Sequence, residues 1–324
     1  MKWSTSNCFF FFALFITQLS WAHEMRPALL TVKQVTVEQT DEVTYEAVFK
    51  QPQVRGRFLN LSLITNCDST LTNMKNNSSA LQETFSLRCT EPLASIEIDG
   101  LEKTLIDTVI SMEDLSGSTK NYLVNGGEPK VDIAGGTSTP VYLILGMEHL
   151  FFGIDHVLFV LLLLYLVRGW RNLVKAVTSF TVAHSITLGL SAFNILAVSQ
   201  APVEALIALS IVLLAAEVLR GEDSLIHRKP WLITFLFGLL HGLGFAGALA
   251  EIGLPQDSVA MALFLFNAGI EIGQLAIIAV ALALTFIAAR IGLKFVQRVI
   301  ALPIYLIGGI AVYWFIERSL QVLV

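Results

Sequence analysis

Polar and apolar residues alternate over the first third of the chain and segregate into long apolar runs over the rest. The period-two alternation of strands is clearest at Leu30-Thr31-Val32-Lys33 and from Val43 to Phe49. Further runs, Phe58 to Ile64, Phe85 to Cys89, Ile96 to Ile98 and Leu105 to Met112, are set apart by Asn, Asp, Gly and Ser clusters. Several short strands so close together predict a small β-sandwich over residues 23–133. The segment Ala134-Gly135-Gly136-Thr137-Ser138-Thr139-Pro140 then reads as a linker over 134–140.

After Pro140 the pattern changes to bilayer-length apolar stretches. They predict an α-helical polytopic membrane domain over 141–324, with about six spans near 141–167, 173–197, 202–219, 231–252, 259–289 and 299–316. A shorter apolar run, Phe9 to Leu19, follows Lys2 and precedes Ser20-Trp21-Ala22. That is the form of a signal peptide over 1–22, and cleavage after Ala22 would leave His23 at the mature N-terminus.

Charge distribution orients the spans. Arg168, Arg171 and Lys175 follow the first; Arg220, Arg228 and Lys229 the third; Arg290, Lys294 and Arg298 the fifth. The connections at Ser199-Gln200 and Pro255-Gln256-Asp257 carry no Lys or Arg. By the positive-inside rule the odd spans run inward, which leaves the β-rich domain on the outer, periplasmic face of the cytoplasmic membrane. The export signal leads independently to the same side. Composition agrees: hydrophobic residues make up 54% of the chain, charged residues 15%, and mean hydropathy is +0.67. The expected surroundings are membrane lipid, and no basic stripe suggests nucleic acid. Of the three cysteines, Cys8 leaves with the signal peptide, so Cys67 and Cys89 are expected to form a disulfide in an oxidising compartment.

The apolar spans carry polar groups. His149, Asp155 and His156 lie in the first; Thr178, Thr181, His184 and Ser185 in the second; Glu204 and Glu217 in the third; His241 in the fourth; Asn267, Glu271 and Gln274 in the fifth. A charged residue at a helix centre costs about 2.5–3.5 kcal/mol, and apart from Lys175 at the inner end of the second, no Lys or Arg falls inside the predicted spans to offset it. Protonation, hydrogen bonding or a bound cation are the remaining compensations. Taken singly, each histidine reads as a helix–helix hydrogen-bonding group, Thr181 and Ser185 as packing groups, and Glu148 and Glu204 as interfacial. Histidines on three spans together with acids and no bases point instead to a metal-handling core of His149, Asp155, His156, His184, His241 and Glu271. Ser185, Glu204, Glu217, Asn267 and Gln274 would support it, and His23 could chelate a metal outside. On a straight helix His149 and His156 share a face about 10 Å apart, too far for one ion. Either the helix bends near Gly153 or the two are successive stations on a path; the second is the expectation.

These segments resemble a known family. His149, five residues, then Asp155-His156 is similar to the first-helix signature of the HupE/UreJ nickel and cobalt permeases. The chain resembles more closely the second HupE/UreJ-like family, whose members join a signal peptide, an extracytoplasmic domain and a polytopic domain. Phe180 to Leu188, Val203 to Ser210, Phe237 to Gly247 and Asn267 to Gln274 also carry the likeness. In the second permease signature, Phe237 stands here for the first histidine and Gly244 for the acid. The resemblance implies transport of a divalent transition metal, with nickel, cobalt and zinc all open. An intramembrane metal-dependent hydrolase would instead need one compact site, and no HExxH pair is present. An accessory scaffold presenting the β-domain is the third alternative.

Overall fold

The computed structural model describes residues 27–35, 43–54, 57–76, 80–104, 106–133, 141–193, 195–196, 198–220, 225–252, 259–290 and 301–323. The leader, His23, the 134–140 segment, Pro255-Gln256-Asp257, Lys294 and Arg298 lie outside these residues. The chain divides into two compact units, one β-rich and one holding the histidine-bearing helices.

In the β-rich unit, β1 (Ala28–Val35) pairs antiparallel with β2 (Val43–Val54) and parallel with β8 (Thr108–Glu113). The larger sheet has the order β5-β6-β2-β1-β8-β9, with β3 (Arg57–Phe58) also on β2. Its other strands are β5 (Asp68–Asn76), β6 (Ala80–Cys89) and β9 (Thr119–Val124). A second sheet runs β10-β7-β4, from Lys130–Asp132, Ser95–Asp99 and Ser62–Thr65. The alternation read in the sequence has a direct outcome: Ala28, Leu30 and Val32 are wholly buried while Lys33 is exposed. They share one core with Phe49 and Leu87 of the same sheet and Ile96 and Ile98 of the other.

The single strand expected from Phe58 to Ile64 is divided between the two sheets. Buried Gln51 is the physical reason. Its amide donates to the Leu61 carbonyl at 2.9 Å and accepts the Leu61 N–H at 3.0 Å, so a side chain satisfies the backbone where strand pairing stops. Asn60 beside it takes a left-handed conformation, φ 52°. Cys67 and Cys89 form the expected disulfide, closing the β5–β6 hairpin at its base.

The helices are α1 (Val141–Phe152), α2 (Ile154–Leu166), α3 (Trp170–Ala192), α4 (Gln200–Arg220), α5 (Leu225–Arg228), α6 (Pro230–Ile252), α7 (Val259–Arg290) and α8 (Ala301–Leu323). Among the described residues three helices, α3, α4 and α7, are long and apolar enough to cross a membrane, or four spans if α1 and α2 count as one. The first predicted span is not a continuous helix. It breaks at Gly153, and α1 and α2 are bent by 73°. The Gly153 N–H closes the last turn of α1 on the His149 carbonyl at 2.8 Å, and the Gly153 carbonyl opens α2 by accepting Val157 N–H. A Cβ there would stand 2.7 Å from the His149 oxygen and 2.8 Å from His156 Nδ1. Only glycine fits this corner.

The last helix also differs from expectation. It continues past residue 316 and brings Arg318 into a buried position, its Nε 3.7 Å from Glu204 Oε2 and its guanidinium donating to the Glu204 carbonyl. Glu204 therefore has a basic partner, which the shorter predicted span had hidden.

Candidate metal centre

The bend at Gly153 converts a sequence separation into a contact. On the bent chain the His149 and His156 rings are 4.9 Å apart between centroids, and the expectation of two separate stations about 10 Å apart is overturned. His156 occupies the middle of the group. It lies 4.9 Å from His241 of α6 and 6.0 Å from His184 of α3, with His184 6.1 Å from His149.

Two overlapping sets of donors result. His149, His156 and His184 offer atoms within 4.8 Å of one another, as do Asp155, His156 and His241. Nitrogens around one tetrahedral ion with bonds of ~2.1 Å are about 3.4 Å apart, so small ring rotations would bring either set together.

α3 and α6 can meet here because α6 presents glycine. A Cβ on Gly242 would collide with Thr187 Oγ1 and the His184 carbonyl, and one on Gly238 with the Phe180 carbonyl. His241 lies between these two contacts and is carried against His156. Phe159 and Phe180 wall the group, with Phe180 5.1 Å from His241 and 6.0 Å from His156. Phe237, in place of the signature histidine, packs edge-on against Phe159.

Each inner histidine is oriented through one ring nitrogen. His156 Nδ1 faces Asp155 Oδ1 at 3.0 Å, and the same oxygen accepts the His156 backbone N–H at 2.8 Å. His184 Nδ1 faces Asn267 Oδ1 at 3.1 Å. Both oxygens can only accept, so these nitrogens carry the hydrogen. His241 Nε2 faces Ser210 Oγ at 3.3 Å; that hydroxyl donates to the Ile207 carbonyl at 2.7 Å, so it accepts from the ring.

The other nitrogens, His156 Nε2, His184 Nε2 and His241 Nδ1, are buried and meet no hydrogen-bond partner among the described residues. Their tautomers leave a lone pair on each. A buried polar atom left unmet costs about 1–3 kcal/mol. Three such costs are large against a domain's total of ~5–15 kcal/mol. One nitrogen tethered and the other lone pair free is the arrangement of metal-ligating histidine.

Helix ends add to the field. The carbonyl end of α1 carries partial negative charge at the bend, which suits a cation. The opposing positive end of α2 is met by Asp155 in its first turn.

The remaining predicted residues separate from this group. Glu271 belongs to neither donor set; its carboxylate accepts from Thr178 and Thr181. Gln274 Oε1 lies 3.0 Å from the same Thr181 hydroxyl as an alternative acceptor, and Asn267 acts by holding His184. Ser185 donates to the Thr181 carbonyl one turn back. Glu217 lies 3.7 Å from His227 near the far end of α4. Sequence reasoning missed Ser210, Phe159 and Phe180. Ser210 is the lone hydroxyl in the middle of α4, which was the signal available.

Apolar helices of membrane-crossing length around a buried histidine–carboxylate group define a multi-pass membrane protein. A family model described as HupE / UreJ protein matches residues 128–318, more than half of the chain. The chain belongs to the HupE/UreJ family. No curated protein and no solved structure matches it.

Proposed function

We propose that the protein is a permease for a divalent transition-metal cation of the nickel or cobalt type. The observation that carries this reading is the set of three buried ring nitrogens, each on a histidine whose other nitrogen is tethered to Asp155, Asn267 or Ser210. His149, His156, His184 and His241 supply nitrogen ligands, and Asp155 supplies charge and orientation. Imidazole with one carboxylate and no thiolate suits nickel, cobalt or zinc. The metal is cargo. Two donor sets that share His156 give it adjacent positions through which to pass, replacing widely spaced stations with a short handover.

In the same reading about six spans cross the cytoplasmic membrane, and the β-rich domain, a sandwich closed by the Cys67–Cys89 bond, faces outward after removal of the leader. The charge bias of the connections and the export signal support this orientation.

Uptake of Ni²⁺, Co²⁺ and Zn²⁺ into cells expressing the full chain tests the proposal. His149→Ala, Asp155→Ala and His156→Ala are each expected to reduce uptake to background at equal membrane abundance. Unchanged uptake in all three variants overturns it.

The compact grouping of histidines also suits a metal-dependent hydrolase in the membrane. That reading requires ester or peptide hydrolysis by the purified metal-loaded protein, lost in His156→Ala. Ser185 gives it no nucleophile near the histidines, since its hydroxyl is engaged one turn back on its own helix.

A further inference from the structure

Glu271 has an environment of its own. Thr178 Oγ1 donates to its Oε1 at 2.6 Å, and Thr181 Oγ1 lies 2.5 Å from its Oε2. Among the described residues no Lys or Arg pairs with it. Lys175, one turn before Thr178 on α3, stacks over Trp231 at 5.2 Å. The groups that meet the carboxyl are thus Thr178 and Thr181 of α3, and Gln274 of its own helix meets Thr181. Beyond them along the seam the titratable group is His184, reached through Asn267.

The seam is built of oxygens joined directly by O–H···O hydrogen bonds, Thr178 to Oε1 and Thr181 to Oε2. We propose that Thr178, Thr181, Glu271 and Gln274 form a proton-carrying station on the α3–α7 seam, separate from the histidines, that returns protons against the entering cation.

Two hydrogen-bonded states are available to these atoms. With Glu271 ionised, Thr181 gives its single hydrogen to Oε2. A proton arriving on Oε2 forms an O–H bond that donates back to Thr181 Oγ1, and the Thr181 hydrogen turns to Gln274 Oε1, 3.0 Å away. Loss of the proton reverses both moves, and no other bond changes. The exchange is open to Thr181 because its hydroxyl has acceptors besides the carboxylate: Gln274 Oε1, on a residue 1% exposed, and the Val177 carbonyl at 3.3 Å. Thr178 lies at the exposed end of the seam, and Asn267, one turn before Glu271, holds His184. The neutral state suits passage through lipid, where an ionised carboxyl costs about 2.5–3.5 kcal/mol. Each proton released restores one negative charge on α7 beside the helix that carries His184.

The inference rests on the permease reading, and one experiment tells their failures apart. The full-length protein is reconstituted in vesicles holding a pH dye and a metal indicator, and Ni²⁺ is added outside. Ionophore-carried Ni²⁺ gives the background. Expected for the natural sequence is Ni²⁺ entry with a rise in internal pH, both faster when the inside is made acidic. Expected for Glu271→Gln is Ni²⁺ binding equal to the natural protein, with the pH rise lost to background, while Glu271→Asp restores part of it. Ni²⁺ entry without proton movement in the natural protein overturns the proton station and leaves the permease standing. No Ni²⁺ entry at all removes both. Loss of Ni²⁺ binding in a correctly folded Glu271→Gln would make Glu271 a ligand and overturn the station.

Discussion

At the scale of single residues, the proposed metal centre depends on the groups that orient its histidines. Asp155, Asn267 and Ser210 each take the hydrogen of one ring nitrogen and so choose which nitrogen keeps a lone pair. Removing such an outer partner weakens metal affinity about 10–100-fold in comparable sites. Ser210→Ala is therefore expected to weaken Ni²⁺ binding by about that factor while leaving fold and stoichiometry intact. Calorimetric titration of the purified protein measures it, and an unchanged affinity would mean that His241 is oriented by something other than Ser210. The sequence made the candidate ligands legible as residue types, because a histidine or aspartate in a run of leucines is conspicuous. It did not make Ser210 legible, because one hydroxyl in an apolar helix reads as packing unless its neighbour is known. For a related reason the sequence could not show that Glu271 meets the Thr178 and Thr181 hydroxyls, outside both donor sets.

At the scale of elements, the deciding feature is the corner between α1 and α2. An apolar run of this length reads as one span, and a straight helix keeps His149 and His156 about 10 Å apart. Both a straight and a bent helix are compatible with the sequence; backbone contacts at Gly153 select the bent one. Gly153→Ala should be costly for this reason. Its Cβ would fall within 3 Å of the His149 carbonyl and of His156 Nδ1, closer than real Cβ atoms stand. Expected are near-native helical content by circular dichroism and loss of Ni²⁺ binding, because either the corner opens or His156 turns away. Retained tight binding would show that the corner can be remade without glycine. The α3–α6 contact follows the same logic, with Gly238 and Gly242 permitting the close approach that brings His241 in. Strand periodicity served well where one face is buried, as in β1. It missed β5, whose residues are exposed on both faces, so that no apolar alternation marks it.

At the scale of the whole molecule, the β-rich unit and the histidine-bearing helices have separate cores. In the sequence, period-two alternation gives way to bilayer-length apolar runs, because each solvent imposes its own pattern. The disulfide belongs wholly to the β-rich unit and closes a loop of 22 residues by sequence separation. Chain entropy assigns such a closure about 3 kcal/mol. With β5 at the sheet edge and exposed throughout, that contribution falls on the β5–β6 hairpin more than on the buried strands β1 and β8. A Cys67→Ser, Cys89→Ser double variant is therefore expected to exchange amide hydrogens over residues 68–76 up to about a hundredfold faster. Exchange over β1 and β8 should change much less. Ni²⁺ affinity of the same variant should match that of the natural protein, since no ligand or outer partner of the histidines lies in that unit. Parallel hydrogen-exchange mass spectrometry and metal titration on the full chain measure both quantities. A fall in metal affinity would mean that the hairpin bears on the proposed metal centre and would give the β-rich domain a part in loading the cation.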